Sequence, residues 1–126
     1  MMRYVFKTRT FIRWMRKTSL SDDALCAAVV EMAQGLIDAD LGGGVLKKRV
    51  ALAGRGKRSG ARTLVATYKT NRWFFVFGFE KNERANIDDD SLAALQLLAH
   101  DLLHRTTTQL NQALAAGELE EICRVH

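Results

Sequence analysis

Four basic residues in the middle of the sequence are arranged as phosphate ligands would be. Lys47 and Arg49 are two residues apart on a predicted strand, so their side chains share one face, with Cα atoms roughly 6.6 Å apart. This separation suits contacts to adjacent phosphates or to two oxygens of one phosphate. Arg62 begins the next predicted strand, and Lys81 follows the strand after it. We take these four residues as the candidate catalytic residues.

The four residues belong to an unusually basic part of the chain. The segment from Leu41 to Phe79 carries nine lysines and arginines and no acidic residue, and the whole chain has a net charge of +5. Such uncompensated charge is unfavourable unless an anion offsets it. We therefore expect a phosphate-rich partner first and an anionic membrane surface second. The alternative is an ordinary solvated basic face that binds nothing.

A glycine-rich basic loop, 54–60, separates the first two of these strands. Its glycines permit close approach of the backbone and leave amides free for an anion. We expect the cations of this loop to dock on the phosphate-rich partner and not to take part in the reaction. The candidate docking residues are Arg55, Lys57, Arg58, Asn82 and Arg84.

Cations alone can cleave RNA, because RNA supplies its own nucleophile. The 2′-hydroxyl lies beside the phosphate, so a protein need only orient it, remove its proton and stabilise the developing charge. Arg49 and Arg62 can clamp the equatorial oxygens, since guanidinium is planar and stays charged. Neighbouring cations favour the neutral form of an amine, which makes Lys47 or Lys81 the candidate base. Alanine at both Lys47 and Arg62 should abolish cleavage and leave the fold intact.

Other chemistries find little support in the sequence. His100 and His104 have the spacing of zinc-protease ligands, but the intervening sequence lacks the required glutamate and a third ligand is not evident. The serines lie in predicted turns and caps, without a nucleophile elbow. The glycine-rich loop is too short between its glycines to be a nucleotide-binding P-loop. We expect no metal and no cofactor.

The two cysteines, Cys26 and Cys123, are far apart in the chain. Isolated thiols form neither a disulfide framework nor a zinc site, so we expect both to be free and the protein to be cytoplasmic. Cys26 lies in an alanine-rich helical pattern and is expected to be buried. No apolar run approaches the roughly 20 residues that a membrane helix needs.

The predicted elements place the basic residues on a sheet. A strand at 4–6 precedes two helices, the first capped by Thr8 or Thr10 and the second running from Ser21 to about Ile37. Strands at 45–52, 62–69 and 72–79 form a meander, with Lys48 disturbing the alternation of the first as at a sheet edge. Helices then start after Asp88 and at the capping box of Thr106. This order predicts one α+β domain over 1–126, with an antiparallel sheet of about four strands packed on two N-terminal helices and followed by C-terminal helices.

The aromatic residues could either stack on bases or fill the core. Most lie in apolar patterns, which favours the core. Trp73 opens its strand beside Arg72, and for this residue both possibilities stay open.

Three motifs together resemble a known family. They are Gly43-Gly44-Val45-Leu46-Lys47-Lys48-Arg49-Val50, the run from Gly54 to Arg62, and Gly78-Phe79-Glu80-Lys81-Asn82-Glu83-Arg84. Over roughly residues 3–104 the sequence resembles the RelE/HigB toxins of bacterial toxin–antitoxin systems. Residues 105–126 resemble an extension of one branch, which we expect to be helical.

The resemblance implies a RelE-like fold and a metal-independent endoribonuclease that cleaves messenger RNA on the ribosome. It also implies a cognate antitoxin that holds the toxin inactive. Lys47 and Arg49 match paired basic positions on the family's second strand, Arg62 matches the arginine that opens the third, and Lys81 matches the lysine after the fourth.

Four positions depart from the family's pattern. Asp88 stands where some members have a base-stacking tyrosine, and Asn82 where some have an arginine. Ala61 replaces a residue that is often aromatic, and Glu80 a small one. These departures support an alternative function, that of a catalytically weak or inactive relative that binds RNA or the ribosome. A plain protein-interaction domain is a third possibility, and its binding would depend little on salt.

Overall fold

A computed structural model describes residues 2–52, 54, 60–83 and 86–125 of the chain. It contains four helices and six strands within these ranges. The strands are β1 Arg3–Thr8, β2 Ala39–Gly42, β3 Val45–Val50, β4 Ala61–Ala66, β5 Arg72–Glu80 and β6 Leu119–Val125. The helices are α1 Arg9–Met15, α2 Asp22–Ala33, α3 Asp89–Leu103 and α4 Thr107–Ala115.

All six strands form one sheet in the order β2-β3-β4-β5-β1-β6. The strands pair antiparallel except for β1 and β5, which run parallel. The sheet is therefore larger than the four strands we expected, while the α+β class with an antiparallel meander is confirmed. Strand β5 lies between β4 and β1, which explains its nearly continuous apolar sequence.

The two N-terminal helices pack on one face of the sheet. Thr8 and Ser21 cap them as predicted, because each side chain accepts a hydrogen bond from a backbone N–H of the first turn. Helix α2 ends at Ala33, four residues before the expected Ile37. The core of this layer consists of apolar residues from both helices and the sheet, including Phe11, Leu25, Val29, Met32, Val5, Leu46 and Trp73.

The two C-terminal helices pack on the other face. Asp88 caps α3 through its hydrogen bond with the Ser91 N–H, and Thr106 and Gln109 form the predicted capping box of α4. Their apolar side chains cover a second core that includes Ala99, Leu102, Leu110, Val45, Leu64 and Phe74. The sheet is therefore the middle of three layers. Within the described ranges, no helix is long and apolar enough to cross a membrane.

The last segment of the chain is a strand, and the expectation of a helical extension over 105–126 is wrong beyond Ala115. Helix α4 ends there, Gly117 follows with a φ of 75°, and β6 then pairs antiparallel with β1. The pairing contains a bulge between Val5 and Phe6, so the apolar residues of β6 do not alternate strictly. That irregularity hid the strand from a pattern-based prediction.

The cysteines are joined, and the expectation of two free thiols is also wrong. Cys26 on α2 and Cys123 on β6 form a disulfide with their Cα atoms 6.4 Å apart. The pairing brings together two positions 97 residues apart in the sequence. No local pattern could show it, because only the docking of β6 beside β1 brings Cys123 to α2.

Candidate nucleic-acid site

Three of the candidate residues lie together on two neighbouring strands. In the pairing of β3 with β4, Arg49 is directly opposite Arg62, and Lys47 is opposite Leu64. Paired residues of an antiparallel ladder point to the same face. We call Lys47, Arg49 and Arg62 the cation cluster, and it lies on the face that also carries α3 and α4.

The members of the cation cluster differ in their access to solvent. The Arg49 side chain is 43% exposed and Lys47 is half-buried, whereas Arg62 is only 7% exposed. Arg62 lies on a central strand beside the fully buried Phe79, and its Nη1 donates a hydrogen bond to the Gly60 carbonyl, 2.9 Å away. The three side chains share one face of the sheet, but Arg62 is covered by its neighbours and is not an open ligand for phosphate.

Among the described residues, Lys47 and Arg49 differ in their partners of opposite charge. The Lys47 amine makes no hydrogen bond or ion pair with any described residue. Arg49 has Asp38 beside it, with Nε 3.9 Å from Oδ1. Arg49 and Arg62 lie directly opposite each other, so an anion bound between them would reduce the repulsion of their like charges.

Lys48, between two members of the cluster, points to the opposite face and is buried. Its amine lies 2.9 Å from Glu31 Oε1 and 2.8 Å from the Leu36 carbonyl oxygen. The side chains of β3 therefore alternate regularly between the two faces. Lys48 occupies a buried position, where an apolar residue was expected, because Glu31 pairs with its charge. Strand β3 is also not an edge strand, since β2 pairs with its first half.

Lys81 lies at the same end of the sheet. Glu80, the last residue of β5, pairs with Ala61, so Lys81 leaves the sheet next to the start of β4. Lys81 and Asn82 are both exposed in the turn that follows. Beneath them, Gly78 packs against the Trp14 ring, where a Cβ would collide with it. Trp14 Nε1 in turn donates to Glu83 Oε1, at 3.0 Å, which fixes the turn on α1.

Four of the candidate binding residues fall outside the described ranges: Arg55, Lys57, Arg58 and Arg84. Of the described residues that flank them, Gly60 lies against the Val50 backbone at the end of β3, and the Glu83 N–H donates to the Glu80 carbonyl at the end of β5. These four cations are therefore related to the cation cluster by their nearness in the sequence.

Several residues have structural roles. Trp73 is fully buried in the core, so base stacking by this residue, which the sequence left open, does not occur. Asp88 is the cap of α3, and Ala61 is fully buried. His100 and His104 stack on each other with ring centroids 4.1 Å apart. The described part of the chain contains no group of three or more metal-ligating side chains.

Sequence reasoning missed Asp38, which lies immediately before β2. Its backbone N–H donates to the Lys47 carbonyl at 3.1 Å, and its carboxylate accepts from the Arg49 N–H at 2.7 Å. The local sequence gave no signal for this role, because β2 itself, with glycine and aspartate, has poor strand propensity.

The chain was compared with known protein families. The family model described as the RelE toxin of the RelE/RelB toxin–antitoxin system matches residues 2–122. A comparison with curated protein sequences gives no match. The family match covers nearly the entire chain, including α4 and most of β6. The chain therefore belongs to the RelE toxin family of toxin–antitoxin systems.

Proposed function

We propose that this protein is a metal-independent endoribonuclease that cleaves messenger RNA on the ribosome and is held inactive by a cognate antitoxin. The observation that carries the proposal is the placement of Arg49 directly opposite Arg62, with Lys47 on the same face. A backbone phosphodiester is the anion that fits such a cluster, because arginine can offer two parallel N–H groups to its oxygens.

The reaction needs only groups of the RNA, the cation cluster and Lys81. The 2′-hydroxyl attacks the adjacent phosphorus and passes its proton to the Lys47 amine, which acts as the general base. The bond from phosphorus to O5′ then breaks, and protonated Lys81 donates a proton to O5′. The products are a 2′,3′-cyclic phosphate and a 5′-hydroxyl, so protons and electrons balance.

The two arginines have different parts in this reaction. Arg49, with an exposed side chain, contacts the equatorial oxygens of the phosphate, where negative charge develops. Arg62 is covered and already bonded to Gly60, so it supplies a fixed positive charge behind the phosphate and restrains the start of β4.

Docking on the ribosome is assigned to Asn82 and to four cations that are near the cluster residues in sequence. Asn82 lies exposed beside Lys81, and Arg55, Lys57, Arg58 and Arg84 are close to the cluster in sequence. A ribosomal partner implies that the protein acts in the cytoplasm, where messages are translated. The family match over residues 2–122 also supports treating 1–126 as one domain, with β6 as part of its sheet.

A catalytically weak relative that binds RNA is the second candidate function. Two observations favour it: Arg62 is only 7% exposed, and Asp88 is engaged in capping α3. Neither residue is then free to contact a substrate base or phosphate as an open ligand.

Conditional expression separates the two functions. The endoribonuclease should arrest growth and cut a reporter message at positions spaced by codons. A matched reporter without a start codon should stay intact, because it is not translated. Growth without arrest and an intact translated reporter would favour the weak relative, while equal cutting of both reporters would contradict ribosome dependence.

A further inference from the structure

Asp38 contacts the backbone of two proposed catalytic residues at once. Its N–H donates to the Lys47 carbonyl oxygen at 3.1 Å, and its Oδ2 accepts from the Arg49 N–H at 2.7 Å. Lys47 and Arg49 are two apart on β3, so both of these groups point towards the same side of the strand, where β2 lies. One residue thus fixes both positions from the neighbouring strand's side.

The carboxylate of Asp38 stands where a further strand residue would be. Strand β2 begins at Ala39, which pairs with Lys47, and it does not extend to Arg49. Without the carboxylate, the Arg49 N–H would face the open edge of the sheet. A hydrogen bond from a backbone N–H to a carboxylate is charge-assisted and shorter than a neutral one, which agrees with the 2.7 Å distance.

The same carboxylate also acts on the Arg49 side chain. Its Oδ1 is 3.9 Å from Nε, the inner nitrogen of the guanidinium. A contact on the Nε side restrains the stem of the side chain and leaves the two terminal nitrogens for another anion. Asp38 therefore holds Arg49 in place without occupying the part that would contact phosphate.

A second contact set ties the same segment to β3 from the other face. The Lys48 amine reaches Glu31 at 2.9 Å and the Leu36 carbonyl at 2.8 Å. The segment from Glu31 to Asp38 consequently contacts three successive residues of β3. This arrangement prevents β3 from sliding or twisting relative to the end of α2.

We propose that Asp38 is a positioning residue, which orients the Arg49 guanidinium for the phosphate through paired contacts with its backbone N–H and Nε. The inference rests on the proposed function, because that function makes the RNA phosphate the group that Arg49 contacts. A merely structural role would be to complete the edge of the sheet, with no connection to what Arg49 contacts.

A double-mutant cycle distinguishes the two roles. Asp38→Asn keeps an oxygen for the Arg49 N–H but removes the charge beside Nε, and Asp38→Ala removes both. In the otherwise unchanged protein we expect each variant to lower kcat by about tenfold, since a misplaced phosphate ligand slows the reaction step as well as weakening RNA binding. In the Arg49→Gln background the same changes should have no further effect on kcat.

Equal losses in both backgrounds would overturn the proposal, because Asp38 would then act independently of Arg49. The exposed Asp40 is the matched control, since Asp40→Asn removes the same charge two residues away. That variant should leave kcat within about twofold of the wild type, as expected for a surface substitution.

Two readouts do not depend on cleavage. Amide hydrogen exchange at Arg49 should be slow in the wild type and fast in Asp38→Ala, and fast exchange in the wild type would overturn the proposal. Binding of an RNA oligonucleotide with 2′-deoxy substitution, measured by anisotropy, should weaken in Asp38→Asn only when Arg49 is present. If the wild type binds this probe but leaves a translated message uncut, the proposed function fails. The binding and hydrogen-exchange measurements still decide the role of Asp38.

Discussion

The two faces of the sheet differ in how their positive charges are paired with carboxylates. Beneath α1 and α2, the buried lysines Lys7 and Lys48 each have a carboxylate at 2.9 Å, from Asp22 and Glu31 respectively. Lys7 also has Glu120 of β6 at 3.5 Å. On the opposite face, the cation cluster sets Arg49 against Arg62 and leaves the Lys47 amine without a partner among the described residues.

This difference distinguishes a structural lysine from a candidate functional lysine on the same strand, β3. Lys47 and Lys48 are neighbours of the same residue type, yet one is paired inside the fold and the other is not. Paired buried cations connect elements, here β3 with α2 through Lys48 and β1 with α2 and β6 through Lys7, and removing one partner leaves an uncompensated charge. Lys47 and Arg49 are crowded against Arg62, and a bound external anion would offset the repulsion among these three cations.

The largest effect should come from removing two cations of the cluster. We expect Lys47→Ala/Arg49→Ala to lower the cleavage rate by roughly 100-fold or more, which is the scale of losing one preorganised charge ligand. Both side chains are at least partly exposed, so the fold should persist. The measurement is cleavage of a reporter message in a purified translation system. This pair is preferable to one that includes Arg62, whose burial would confuse loss of function with loss of packing.

The matched control removes the same charge elsewhere. Lys17→Ala/Lys69→Ala deletes two exposed lysines away from the cluster and lowers the net charge equally. Its cleavage rate should stay within a few-fold of the wild type, since only long-range attraction is reduced. Equal losses in the two double variants would mean that total charge, and not the cluster, drives the reaction.

The next largest effect should be on stability, at the far edge of the sheet. Reduction of the Cys26–Cys123 disulfide releases a loop of about 97 residues, so we expect a loss of about 4 to 5 kcal/mol in the free energy of unfolding. Urea unfolding with and without a thiol reductant measures it, and Cys26→Ala/Cys123→Ala should not respond to the reductant. The cleavage rate of the folded, reduced protein should not change, because the disulfide is on α2 and β6. A large loss of rate while the protein is still folded would contradict the separation of the two regions.

A smaller effect is expected where the two regions meet. Lys48→Met should lower the free energy of unfolding by about 2 kcal/mol, less than for a fully buried pair because Glu31 is 33% exposed. Lys47→Met should change it by no more than about 0.5 kcal/mol, since that amine contacts no partner within the part of the chain that the structure describes. Urea midpoints of the two variants provide the comparison, and equal destabilisation would mean that Lys47 is also a structural residue.

Much of the fold could be predicted from local sequence because its signals are local. The caps of Thr8, Ser21, Asp88 and Thr106 and the meander of β3, β4 and β5 all depend on residues a few positions apart. Strands β2 and β6 were missed for physical reasons. The first is four residues long with aspartate and glycine, and the second has adjacent glutamates and a bulge, so neither shows regular alternation. The parallel pairing of β1 with β5 and the disulfide depend on contacts between distant parts of the chain.

The candidate site was only partly predictable for a related reason. Alternation along β3 identified Lys47 and Arg49 as neighbours on one face, and the register with β4 brings Arg62 to them. The burial of Arg62 follows from the position of β4 inside the sheet, and Asp38 acts through its place before β2. Both depend on sheet order, which residue patterns do not encode.

The chemistry of the cut ends tests the central claim most directly. A translated reporter carrying mapped cleavage sites should yield 5′-hydroxyl fragments and 2′,3′-cyclic phosphates, because the 2′-hydroxyl is the proposed nucleophile. A single 2′-deoxy substitution at a mapped site should block the cut there and leave other sites unaffected. Fragments with 5′-phosphates, or cutting that persists at the 2′-deoxy position, would contradict cleavage by the cation cluster as described.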